Sequence, residues 1–193
     1  ALRAPFVLLL YFGSIEAGAL FTVGRRINSI SATIGDLVAQ WNPTEMDTSS
    51  GSCPGRPADI CLKSSTITDY MNASTGIISP YPATGLQIVV SLIKVNSTTG
   101  ATTVLWSKAN AGATAHAENS SFAGLPATDQ MNMIARGGCI IAAEATYSYL
   151  PLLGQFYRTA LTLKHTNFFL PRYGSSLPIE LDTKALADNA CTA

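Results

Sequence analysis

Residues 4–23 read APFVLLLYFGSIEAGALFTV, and the way this stretch is kept from water decides the fold. As a helix it rises about 1.5 Å per residue and reaches roughly 30 Å, the thickness of a bilayer's hydrocarbon. Phe6, Val7, Leu8, Leu9, Leu10, Phe12, Ile15, Leu20, Phe21 and Val23 each favour lipid by about 0.5 kcal/mol. Together they outweigh a penalty of roughly 3 kcal/mol for Glu16, the one carboxylate. Outside lipid, covering the same side chains is worth roughly 1.5–3 kcal/mol apiece, so the helix must then lie among other helices. The plainer alternative is an inert anchor. A cleaved signal peptide fits less well, because helical character continues past Val23.

Beyond Gly24 the pattern becomes amphipathic. Ile27, Ile30, Ile34, Leu37 and Val38 recur at three- and four-residue steps, with Arg26, Asn28, Ser29, Ser31 and Asp36 elsewhere on the wheel. The pattern lapses at Asn42-Pro43. One helix from Pro5 to Gln40 is therefore expected, about 50 Å long, its outer half offering an apolar stripe to a domain.

The chain has 193 residues and a formal net charge of +0. That leaves room for one membrane segment and one globular domain, the division expected at 1–41 and 42–193. Lys and Arg are few and dispersed, so the electrostatic footprint of a nucleic-acid binder is missing. Cys53 and Cys61 bracket a turn-rich loop, Cys139 opens an apolar strand and Cys191 lies near the end of the sequence. An even number with this spacing favours disulfides and an exported domain. Three connectivities are open, with Cys53–Cys61 and Cys139–Cys191 preferred. A zinc site lacks a Cys-x-x-Cys pair, and His116 and His165 stand far apart. Arg25 and Arg26 alone would argue for a cytoplasmic domain by the positive-inside rule. The cysteines argue the reverse, and the reading expects a preceding segment to carry the deciding charges.

Residues 44–57 read as a loop and Ser65 to Ile78 as a short helix closed by Pro80 and Pro82. Leu86 to Val95 and Thr102 to Ser107 form a hairpin around the turn Asn96 to Gly100. Ala109 to Gly124 has no period and is expected to be a surface excursion. A short helix is expected within Ala127 to Ala135. From Cys139 a strand alternates, with Cys139, Ile141, Ala143, Ala145, Tyr147 and Tyr149 on one face and Ile140, Ala142, Glu144, Thr146 and Ser148 on the other. Small residues on the first face suggest close approach by a helix. A last strand covers Ala160 to Leu170. These elements predict an α+β, pilin-like architecture: a long apolar helix plus a domain with an antiparallel sheet of about four strands.

Chemistry is sparse. A serine hydrolase needs a nucleophile, His and acid together, and no Gly-x-Ser-x-Gly elbow occurs. His165 shares a strand face with Leu161 and Leu163 and reads as a packed histidine. Glu144 reads as a solvated or salt-bridged residue. No phosphate loop, dinucleotide fingerprint or calcium loop is present, so no cofactor and no small-molecule substrate are expected. Glu16 stands apart, since an ionisable group inside a membrane is by default a functional site, here paired with an Arg or terminal amine of a neighbouring helix. Its alternative is a side chain at the end of the span reaching toward the headgroups.

Several segments together resemble the TadE/TadG-like minor pilins of bacterial tight-adherence pili: ALRAPFVLLLYFGSIEAG, GRRINSISATIGDLVAQ, IISPYPATGLQIVVSLIKV, VLWSKA, CIIAAEATYSYLPLLGQF and FFLPR. The most specific parts are Tyr147-x-Tyr149-x-Pro151 after Glu144, and Pro171-Arg172. The resemblance implies a non-enzymatic pilus assembly protein, inserted in the inner membrane and then incorporated with other pilin subunits into an extracellular filament. Pro5, Phe6, Leu8, Leu9, Phe12, Glu16, Leu20 and Phe21 would make the assembly contacts. Tyr147, Tyr149 and Leu152 to Tyr157 would face a neighbouring subunit or the core. The family's cleavage glycine and the Glu that follows it are absent here. A membrane-anchored adhesin acting singly is the alternative.

Overall fold

The computed structural model describes residues 3–42, 52–53, 56–151, 159–173, 179–183, 186 and 190–191, with backbone only at 3–5, 52–53 and 56–60. Helix α1 runs Arg3–Ala39 without a break. It matches the expected single helix of about 50 Å. Pro5 is tolerated because it falls in the first turn, where its missing N–H has no helical partner to lose.

The second half of α1 lies across a four-stranded sheet. The strands are β3 (Leu86–Val95), β4 (Thr102–Ala109), β5 (Cys139–Tyr149) and β6 (Leu161–Phe169), in the order β4-β3-β5-β6 with every pair antiparallel. Leu86 pairs with Tyr147 and Lys94 with Cys139, while Ile141 pairs with Phe169 and Tyr149 with Leu161. The fold is thus α+β with a long apolar N-terminal helix, and the expected strands are all present. The turn at 96–100 works because Asn96 Oδ1 accepts from the backbone N–H groups of Thr98 and Thr99, and Gly100 supplies a φ of +68°. A Cβ on Gly100 would also lie 2.7 Å from the Arg136 guanidinium.

Both sheet faces are covered. On one, Val23, Ile27, Ile30, Ile34 and Val38 of α1 are buried against Ile88, Val90, Ile141, Ala143 and Ala145. Leu37, expected in this stripe, is 37% exposed. The small residues of β5 admit the helix closely, as its alternation suggested. At the crossing, a Cβ on Gly35 would sit 2.5 Å from the Phe169 ring and 3.1 Å from Ala143 Cβ. Helix α2 (Ser64–Ser74), extended by a 3-10 turn at Thr75–Ile78, flanks α1 through Ile67, Met71 and Ile78.

The other face departs from expectation. Segment 109–124 is not simply a surface excursion: it folds back over the sheet, and Phe122 joins Ile93, Val95, Val104, Leu125, Ile140 and Ala142 in a second core. Its backbone also pairs with the outer edge of β4 at Val104, Asn119 and Ser120. An irregular segment cannot announce such docking by periodicity. Helix α3 (Gln130–Ile134) follows, capped by Asp129, whose side chain accepts from the Met131 N–H. The 44–57 loop contains strand β1 (Ser52–Cys53), which pairs with β2 (Arg56–Ile60).

Cys139 and Cys191 form a disulfide with Cα atoms 5.0 Å apart, the pairing preferred above. Cys61 is also disulfide-bonded. The Cys53 side chain and the Leu152 to Tyr157 segment lie outside the described residues.

Candidate functional site: the root of the exposed helix

The first half of α1 leaves the domain. Phe6 is 63% exposed, Leu9 69%, and Val7, Leu8, Leu10, Tyr11, Phe12 and Ile15 are exposed as well. One helix among the described residues is long and apolar enough to cross a membrane, and 6% of its most apolar stretch is buried. Such a helix is compatible with a membrane anchor or a signal sequence.

Domain contact begins at Glu16. Tyr149, the last residue of β5, donates its phenol O–H to Glu16 Oε1 at 2.7 Å. Burial first, and then the hydrogen bond to Glu16, hold the Tyr149 phenol far above its ordinary pKa, so it remains a donor. Tyr81 meets the Tyr149 ring edge-on at 6.1 Å. Tyr147, two residues back on the same face, donates to the Pro82 carbonyl. Burial and Tyr81 raise its pKa too.

From this root a ladder of polar and close contacts climbs the helix. A Cβ on Gly24 would stand 4.0 Å from His165 Nε2. Asn167 donates to Asn28 Oδ1 at 3.0 Å and to Ser31 Oγ at 2.7 Å. Phe169 covers Gly35, Arg172 forms an ion pair with Asp36, and the Arg172 N–H bonds the Ala39 carbonyl at 2.9 Å. β6 and the residues after it thus track α1 from Gly24 to Ala39, while Tyr149 fixes its lower end.

The sequence-derived site residues fall into two groups. Phe6, Leu8, Leu9, Phe12 and Phe21 project from the domain, and Leu20 is half-buried against the core. Glu16, Tyr149, Pro151 and Arg172 lie along the helix–domain seam, Tyr147 is buried in the adjoining core, and Pro171 is half-buried next to Arg172. Below Tyr149 a groove of about 360 Å³ runs between helix and domain, lined by Gly13, Glu16, Ala17, Leu20, Tyr149, Pro151, Thr159 and Leu161. Glu16 has a partner inside its own chain. Its carboxylate is held by a phenol, a partner that polar spacing did not signal because 133 residues separate the two.

Glu144 is more deeply committed than the sequence indicated. It is buried, with Lys164 Nζ at 2.7 Å from Oε1 and the His116 ring bonded to Oε2. Burial pushes the Glu144 pKa up, but hydrogen bonds and charge from Lys164 and His116 win and hold it below the usual value. His116 also stacks edge-on with Phe122 at 5.1 Å, and its backbone N–H bonds Ser107 Oγ. The cluster therefore pins the returning segment to the back of the sheet. Among the described residues no serine or cysteine side chain is hydrogen-bonded to the His116 ring, and no group of His, Cys, Asp and Glu is placed to hold a metal.

Comparison with models of known families, with curated proteins and with solved structures finds no match.

Proposed function

We propose that the chain is a structural subunit of an extracellular filament, of the TadE/TadG-like minor pilin kind. In this reading the helix holds it in the inner membrane before assembly and packs among helices of other subunits afterwards. One observation carries the reading: a single unbroken helix is domain core in its second half and exposed apolar surface in its first. Covering those exposed side chains is worth roughly 10–20 kcal/mol in total, as large as or larger than the whole stability of a typical domain. Water is therefore not their resting environment. Lipid and a helical bundle both satisfy them, so the same surface serves both stages.

The polar ladder supports the reading mechanically. Glu16–Tyr149 and Asp36–Arg172 bind the two ends of the docked half, so force applied to the rod reaches the sheet. Cys139–Cys191 suits an extracytoplasmic domain. Fractionation of sheared surface material from the native cell tests the proposal: the chain should co-sediment with filaments. Retention wholly with membranes would favour the anchored adhesin and end the filament reading.

A further inference from the structure

We infer that the lower rim of the domain, centred on Leu150 and Leu161, rests in the interfacial zone of a lipid bilayer while the helix is inserted. This inference rests on the membrane stage proposed above. Leu150 is 62% exposed although it follows the buried Tyr149, and Leu161, which opens β6, is 45% exposed. Leu161 pairs with Tyr149, and both line the groove that reaches down to Gly13. The rim therefore stands level with Gly13 to Leu20 on the helix axis.

The apolar run of the same helix continues beyond that level. The first cations beyond that level are Arg25 and Arg26, and Phe21 on the open side is 67% exposed. Arg25 lies nine residues past Glu16, about 14 Å further along the axis. A lipid–water boundary set by the end of the apolar run therefore passes above the rim, and headgroup layers are only about 5–8 Å thick on each side. The rim then lies at the boundary between headgroups and acyl chains. Its composition agrees: among the described residues Glu16 is the one ionisable acid or base lining the groove, and its carboxylate is bonded by Tyr149. Tyr81 and Tyr149 supply amphipathic rings suited to the interface. The opposite end of the docked helix, about 29 Å away by Gly35, carries the Asp36–Arg172 ion pair and exposed Gln40. Polarity thus rises away from the rim.

Depth-dependent tryptophan quenching tests this on the full chain, reconstituted at low protein density in phosphatidylcholine vesicles brominated at a shallow acyl position. Single variants Leu150→Trp, Leu161→Trp, Leu8→Trp and Leu170→Trp are compared with the parent, whose Trp41 and Trp106 lie above the rim. All four substituted positions are exposed, and melting curves verify their folding. Added emission from Leu150→Trp and Leu161→Trp should be quenched, as should that from Leu8→Trp, whereas Leu170→Trp should be untouched. Quenching at Leu8 with none at positions 150 and 161 would overturn the rim contact and leave insertion standing. No quenching at any position would overturn both.

Discussion

Tyr149 and Glu16 meet at 2.7 Å across 133 residues of sequence, at the point where α1 leaves the domain. The bond does two things at once: it satisfies the one carboxylate of the apolar run and fixes the angle at which the exposed rod emerges. Tyr149→Phe keeps the ring and removes only the donor, so the core should survive. A hydrogen bond to a charged group contributes about 1.5–3 kcal/mol, and partial exposure of Glu16 places this one at the lower end. Thermal melting should drop by a few degrees, with hydrogen exchange accelerating around residues 16–23 and not in β3. A double cycle with Glu16→Gln should show coupling; simple additivity would mean that the two side chains act independently.

Gly35 is required by the closeness of helix and sheet. Alanine favours a helix by about 1 kcal/mol, yet its Cβ would meet the Phe169 ring at 2.5 Å. Overpacking of this kind costs about 1–3 kcal/mol, so Gly35→Ala should lower the melting temperature despite the gain in propensity. Phe169→Leu in the same background should recover part of the loss. A melting temperature raised by Gly35→Ala alone would show that the ring moves aside freely.

The Glu144 cluster predicts an acid-sensitive domain. Because the folded domain holds the Glu144 pKa below its ordinary carboxylate value, the carboxylate's contribution is complete above that ordinary value and is lost as pH falls through the lower, folded one. Glu144→Gln should cost about 1–2 kcal/mol at neutral pH. It should also flatten the decline of stability on acidification. Urea denaturation at a series of pH values reads both effects, and parallel curves for parent and variant would contradict the assignment.

Arg172 and Asp36 make the contrasting case. Their side chains are 56% and 37% exposed, so solvent screening leaves the pair less than about 1 kcal/mol. Arg172→Ala should fray the last turn of α1 in hydrogen exchange while shifting the melting temperature by no more than a degree or two.

Local periodicity made most of this architecture legible. The three- and four-residue steps from Ile27 to Val38 announced a docked helix, the alternation from Cys139 to Tyr149 announced β5, and the small residues on one of its faces announced close approach. Partnerships between distant side chains were a different matter. Glu144 read as solvated or salt-bridged, but its pairing with His116 was not legible because the segment that carries His116 has no period, and Glu16 gave no sign of Tyr149. The short β1–β2 pairing was hidden by Pro54, Gly55 and Pro57, residues that favour turns over strands. Sequence pattern thus located the elements and the exposed helix, while the seam between helix and domain emerged only from the three-dimensional contacts.

Flotation of the purified full chain on a density gradient, with and without liposomes, tests most directly whether the first half of α1 needs a non-aqueous cover. The account predicts that the chain floats with liposomes and, without them or detergent, sediments as helix-mediated oligomers. A stable, freely soluble monomer that stays at the bottom of the gradient beside liposomes would contradict it.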